Sequence, residues 1–423
     1  MSANAHGRLA VPVVAAPGFT PGNQETRADA PAAINLLERA VNLLPDDASR
    51  CELLCELGLA HRMRGEPRAA QARLDEALDI SKERRDRRLE LRARIEMAAL
   101  DLFGHSPNVT EVLELAAEAI PFLQSCSDDR SLGRAWLLVG FAKGQFLCDN
   151  GALEEACVKA AEHYRRAGWS PSICLGSIGN ALCYGPRPVV EAIEISERLL
   201  QEHVGDRASE ANILVPLGCL YAMCGRFDEA FALIDRAESI HRELGQVQAT
   251  KMTCTTMRAE VEVLAGRLEA AESALHQSCD TCLSLNESAE LASRAAELAD
   301  VICTLGRDEE AEEWVRVSCE HADRNDHHAQ SSWRSVAAKL QARNGLFTEG
   351  EMLAREAIRI AGPTDGLNHK AKLFRDLAEV LGCRGREQAA AEALETAIAL
   401  YEQKGNQVAA DQSRALLATT EAV

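Results

Sequence analysis

The sequence predicts an all-α fold, a right-handed α-α superhelix of about nine helix pairs, and three observations predict it. Hydrophobic residues make up 47% of the chain but aromatics only 4%, and the β-branched runs that mark strands are missing. Glycines ahead of alanine-patterned helices recur at Gly185, Gly225, Gly266, Gly306, Gly345 and Gly385, at intervals of 40, 41, 40, 39 and 40 residues. Small residues travel with them. Gly218, Ala259, Ala299, Ala338 and Ala378 stand ahead of the glycines, and Ala230, Ala271, Ala311, Gly350 and Ala390 behind them. Antiparallel helices approach closely only where the facing side chains are small, and the turn between them favours a residue tolerant of positive φ.

The elements follow in order. Residues 1–29, rich in Ala, Pro and Gly, read as a flexible leader, and 30–423 as the repeat array. An unpaired helix, Ala32 to Leu44, opens the array. The pairs then turn at Gly65, Gly104, Gly151 and Gly185, with looser spacing, before the regular beat begins. In the unit around Gly225, Ala208 to Cys224 forms the first helix and Asp228 to Leu244 the second. Leu214, Leu217 and Tyr221 supply one apolar stripe; Ala230, Ile234 and Ala237 face it. A last helix, Gln407 to Leu417, caps the exposed end.

The stretch "LGCLYAMCGRFDEAFALIDRA" (Leu217 to Ala237) resembles a tetratricopeptide repeat, whose signature is small–Gly–small at these offsets. The units run near forty residues rather than the family's 34. In that length, and in "AINLLERAVNLLPDD" and "LYEQKGNQVAADQSRALLA", the chain is similar to the C-terminal sensory arrays of bacterial signalling ATPases. It is also similar to those of class III nucleotide cyclase fusions and maltose-activator-type regulators. The resemblance implies a protein-binding tail. The parts that carry chemistry in those proteins are absent from the sequence. No G-x-x-x-x-G-K-[ST] loop, cyclase segment or basic helix-turn-helix is present.

The net charge of −19 opposes polyphosphates and anionic membranes, so neither nucleic acid nor a membrane is expected as a partner. No segment approaches the run of about 20 apolar residues that a membrane helix needs. Fifteen cysteines at irregular spacing read as reduced, buried thiols of a cytoplasmic protein.

Each chemistry-bearing cluster has a plainer explanation. In "HQSCDTC", His276, Cys279 and Cys282 suggest a metal or redox site, but a helix splays them apart, so packing is expected. In "EHADRNDHH", Asp323, Asn325 and Asp326 fit a turn and N-cap, leaving His321, His327 and His328 at the surface. Cys51, Cys55 and His163 lack the electropositive setting of a nucleophile. Glu154, Glu155, Glu309 and Glu310 read as solvated faces. Trp314 is expected in an apolar stripe, and Trp333 starts near the inner face.

The resemblance implies that the first helix of each unit lines a concave face, at fixed offsets before the turn glycine. Those offsets select Asn212, Lys339, Arg343, Lys372, Arg375 and Glu379. Four cations on adjacent inner helices would attract an acidic peptide, a carboxylate or a phosphate.

The expected function is a non-enzymatic interaction scaffold in bacterial-type signal transduction, without cofactor, metal or catalytic residues. Its partner would be a protein or peptide, with a signalling ATPase, cyclase or regulator as candidates. The competing reading is a ligand-sensing regulator of such an enzyme or transcription factor. Its enclosed pocket is expected between Gly104 and Gly225, where "SICLGSIGNALCYGPRPVV" is rich in small residues.

Overall fold

Aspartates start five of the nine inner helices, and glycines end many of them. The computed structural model describes residues 30–104, 108–246, 250–285 and 287–420. Among these, α1 (Ala30–Leu43) is followed by nine pairs. They are α2 (Ala48–Met63) with α3 (Pro67–Glu83), α4 (Arg87–Leu102) with α5 (Val109–Ser125), and α6 (Asp129–Phe141) with α7 (Asn150–Arg166). Next come α8 (Ser172–Tyr184) with α9 (Val189–Glu202), α10 (Arg207–Met223) with α11 (Phe227–Glu243), and α12 (Thr255–Leu264) with α13 (Leu268–Leu285). The last are α14 (Ser288–Thr304) with α15 (Asp308–His321), α16 (His327–Arg343) with α17 (Phe347–Ala361), and α18 (Leu367–Cys383) with α19 (Glu387–Lys404). The helix α20 (Gln407–Thr420) closes the array. The expected leader lies outside the described residues.

Local chemistry explains the boundaries. Asp47, Asp86, Asp128, Asp206 and Asp326 accept backbone N–H bonds at the starts of α2, α4, α6, α10 and α16. The turn glycines Gly65, Gly225, Gly266, Gly306, Gly345 and Gly385 adopt φ between +71° and +82°. The third unit departs from the expectation. Gly151 lies inside α7, and the left-handed turn residue is Cys148, at φ +50°. A π-helical turn, Ala142–Phe146, lengthens the preceding helix and shifts its register. Gly185 is also no left-handed turn: it ends α8 at φ −78°.

Apolar cores run continuously between neighbouring pairs, the largest from Leu137 to Val261. An open concave groove would leave every inner helix wet on one side. That expectation fails here: α10 buries Ala208, Ser209, Ala211 and all of Ile213 to Met223. The superhelix winds tightly enough for successive turns to meet. Gly65 of the first pair packs beside Leu285 of the sixth, and Ala289 of the seventh enters the core of Leu91, Leu102 and Phe146. Higher up, Lys404 reaches α8 and Asp365 reaches α7. No described helix is long and apolar enough to cross a membrane.

Candidate functional site

The inner helices α14, α16 and α18 stand side by side, and charges six residues before each turn glycine alternate in sign: Asp300, Lys339, Glu379. Lys339, only 3% exposed, donates to Asp300 at 2.5 Å and lies 3.6 Å from Asp376. Lys372, 31% exposed, reaches Asp300 at 3.1 Å and Asp376 at 2.7 Å. The Ser335 hydroxyl donates to Asp376 at 2.8 Å. Burial pushes the Asp300 carboxyl upward, but Lys339 and Lys372 outweigh it and hold it far below the usual carboxylate range. Arg343 binds Asp308 at 2.8 Å, Glu379 at 2.6 Å and the Cys303 carbonyl at 2.7 Å.

Lys339, Arg343 and Lys372 are thus brought together, but neutralised by acids of neighbouring units. Lys339 serves as a strut between repeats. Arg375 differs: it is partly exposed and makes no hydrogen bond or ion pair within contact distance, although Tyr401, Asp376, Asp300 and Glu379 act on its charge. Asn212 stands apart on α10, donating to the Ser172 carbonyl at 3.1 Å. The alternating signs in consecutive units were the available signal for these inter-repeat pairs. A matching ladder spans the first units, where Arg92 and Arg130 meet Glu56, and Arg134 grips Glu96 through two bonds of 2.6 Å.

Beside the C-terminal ladder the inner face carries a second polar group that the sequence did not single out. The Tyr184 hydroxyl donates to Glu260 at 2.5 Å. His328 lies 3.6 Å from Glu297, which is 25% exposed and bound by Arg294 at 2.7 Å. The rings of His328 and His369 are 4.5 Å apart, and His369 pairs with the Ser331 hydroxyl at 2.7 Å. Burial, with Glu297 adding to it, pushes the Glu260 carboxyl up to about 7. His328 stays partly exposed, its side chain at 31%, but its ring is engaged by Glu297 and His369, and Asp326 caps α16 as its spacing predicts. These side chains come from α8, α12, α14, α16 and α18. This polar group thus draws only Tyr184 from the small-residue stretch where a pocket was expected.

Cys279 and Cys282 are buried in the core. His276 turns outward from them, edge-on to Trp314 at 5.3 Å and 3.6 Å from Glu272. His276, Glu272 and Glu310 converge, but Arg307 holds both carboxylates, at 2.9 Å and 2.5 Å. The thiols of Cys51 and Cys55 are buried, and His163 pairs with Asp129 at 2.6 Å. Glu154 is clamped by Arg187 and Glu155 by Lys159. Trp333 lies under Arg334.

No family model and no curated protein matches the chain. Solved structures do match across nearly all of it. The APC/C hetero-tetramer Cut9–Hcn1 aligns with a TM-score of 0.57 at 13% identity, covering 92% of this chain and 75% of that one. The human IFIT1 dimer with PPP-AAAA aligns with a TM-score of 0.51 at 14% identity, covering 96% and 91%. At such identities the likeness concerns the fold alone: the chain is a tetratricopeptide-like α-helical repeat superhelix.

Proposed function

We propose that the protein is a non-enzymatic protein-binding scaffold that takes an acidic or carboxylate-bearing segment of its partner on the inner face of its last units. Arg375 carries this reading. It is a partly exposed residue among neutralised cations, with no hydrogen bond of its own, beside Lys372. Arginine in such a position presents a planar fork to a carboxylate. The Cut9 neighbour's assembly with Hcn1 supports an interaction role. The similarity to the arrays of bacterial signalling ATPases and cyclase fusions supports placement in signal transduction, with such a protein as the partner.

The test is affinity capture with wild type and Arg375→Glu, checked for unchanged helicity. Loss of the captured partner from the variant is expected. Equal recovery would remove Arg375 from the interface. Lys339 is unsuitable for this test, because removing one member of a buried ion pair costs about 3–5 kcal/mol of stability.

A second reading, a ligand-sensing regulator, is favoured by the polar group around Glu260, Glu297 and His328. Polar side chains that converge from five helices and keep partial exposure suit a small ligand better than a protein surface does.

A further inference from the structure

In a repeat array each unit needs only its neighbours, so contacts between units far apart in sequence do something else. Two such contacts join the final units to the third and fourth. Lys404, fully buried at the end of α19, donates from Nζ to the carbonyls of Leu182, Gly185 and Arg187, each at 2.8 Å. Asp365, just before α18, accepts from Asn150 N at 3.0 Å, Asn150 Nδ2 at 2.8 Å and Gly151 N at 2.8 Å. A cation thus sits at the C-terminus of α8 and an anion at the N-terminus of α7, each matched to the helix dipole it meets.

Smaller contacts complete this seam. The Asp365 N–H donates to the Cys148 carbonyl at 3.2 Å, and Asn368 Nδ2 meets the Met223 sulfur at 3.5 Å. Gln412 Nε2 donates to the Leu264 carbonyl at 3.1 Å, and Leu264 packs against the cluster of Ala371, Tyr401 and Ala409. Gly405 faces Val189, Gly225 faces Val408, and Gly366 faces the Tyr184 carbonyl. Further down, the same seam is apolar, where Ala289 enters the Leu91–Phe146 core. One end of the seam is therefore held by hydrophobic burial. The other is held mainly by polar contacts, those of Lys404 and Asp365 foremost, whose groups regain hydration on parting.

We propose that Lys404 and Asp365 form a releasable two-point latch that closes the last units over the inner face, so that its opening admits the partner segment. The latch rests on the reading that the partner docks at Arg375. Its apolar end acts as the pivot. Tyr184 lies beside the latch, its backbone carbonyl facing Gly366.

The double variant Lys404→Met/Asp365→Asn tests this in the full chain. Small-angle scattering should show a larger radius of gyration, with helicity unchanged. Amide exchange at Asn150 and Gly151, and along α16 and α18, should accelerate about tenfold. Asp365→Asn alone, which preserves shape, serves if the lysine change prevents folding. Unchanged scattering and unchanged exchange would overturn the latch.

A staple tests closure from the other side. An ideal Cβ on Gly405 would lie 3.5 Å from that of Val189, within disulfide range. Gly405→Cys/Val189→Cys is made with the exposed Cys126, Cys319 and Cys383 changed to serine, and bond formation is verified by mass. The staple should block capture of the partner, and reductant should restore it. If Arg375→Glu abolishes capture while neither latch variant alters it, the latch fails and the docking reading stands. If capture survives Arg375→Glu as well, the docking reading fails with it.

Discussion

The turn glycines of units five to nine close their inner-helix ends with a paired set of backbone bonds, supplemented by single side chains such as Gln412 on the Leu264 carbonyl. Helix ends in units three and four instead draw donors and acceptors from residues more than two hundred positions away. In the regular units the left-handed glycine folds the chain back onto the carbonyls just used. Gly225 N donates to Ala222 O at 2.9 Å and Arg226 N to Tyr221 O at 3.0 Å, and the turns at Gly266, Gly306, Gly345 and Gly385 repeat the pattern. At Gly185 the backbone is extended, with φ −78° and ψ −174°, so the end of α8 receives no such second bond. Lys404 fills that gap. At α7, Asp149 caps Ala152 N at 2.9 Å, and Asp365 takes Asn150 N and Gly151 N. Irregularity in a repeat array is thus more than drift. It leaves orphan backbone groups, and those groups choose where the superhelix closes.

The most direct way to break this contrast is Lys404→Met. It leaves three carbonyls at a closed seam without a donor, whereas the regular units take at most one or two such bonds from a side chain, as Arg343 gives Cys303 and Lys370 gives Gly362 and Thr364. Each buried acceptor left unmade costs about 1–3 kcal/mol, less where water enters. A loss of about 2–3 kcal/mol is expected, read as a Tm lowered by several degrees.

The next effect depends on pH and sharpens the contrast where the latch borders the interior. Glu260 accepts from Tyr184 of the irregular α8 and faces Glu297, Arg294 and His328 of the regular units. Its carboxyl is raised from 4.5 to about 7 in the folded chain. Below about pH 4.5 the group is protonated in both states and contributes no difference. As pH rises, the unfolded chain releases its proton first, so stability drains away until the folded group ionises near 7. The full cost is roughly 3 kcal/mol. Glu260→Gln should match wild type in Tm at pH 4.5 and exceed it at pH 8. Equal pH profiles would show that the site is not proton-linked.

How much of this was legible follows from distance along the chain. Glycine spacing located the pairs and the turns at Gly65, Gly225, Gly266, Gly306, Gly345 and Gly385, since a helix pair is a local object. The first and last helices were legible as well. The turn at Cys148 was not, because a π-helical turn changed the register and Gly151 mimicked the expected position. The offsets placed Lys339, Arg343, Lys372 and Arg375 on adjacent inner helices. They did not reveal that Asp300, Asp376, Asp308 and Glu379 neutralise all but the last of these cations at contact distance, although the alternating signs held that information. Closure was beyond local pattern. It depends on the small rotation between successive units, summed over about five of them. No local pattern marks Asp365 or Lys404, which stand in a turn and at a helix end.

Glycine serves different needs in the two regions. At Gly306 a Cβ would meet nothing within 4 Å, and φ is +79°. Gly306→Ala should therefore cost about 1–2 kcal/mol through backbone strain alone, and Gly306→Asn less, since Asn tolerates the left-handed region. At Gly185 φ is ordinary, but a Cβ would stand 2.6 Å from the Ala181 carbonyl oxygen and 2.8 Å from Asn150 Cβ. Alanine and asparagine should be about equally harmful there. Paired denaturation curves on the four variants separate conformational need from space.

The smallest effect runs in the opposite direction. Arg85 turns the chain from α3 into α4 at φ +53°, where a non-glycine residue is strained. Its side chain is exposed, and neither a hydrogen bond nor an ion pair compensates the strain. Arg85→Gly relieves the left-handed conformation but adds freedom to the unfolded chain, and the two terms nearly offset. A gain of about 0.5 kcal/mol is expected, seen as a denaturation midpoint moved upward at constant slope. Cys148→Gly, at the nearly equal φ of +50°, should gain less. Its thiol is largely buried near Asp326 and Asp365, so glycine there removes contacts as well as strain. If Cys148→Gly gained as much as Arg85→Gly, the third turn would be an ordinary turn lacking its glycine. A smaller gain or a loss would show that the irregular unit uses its cysteine to meet the units that close over it.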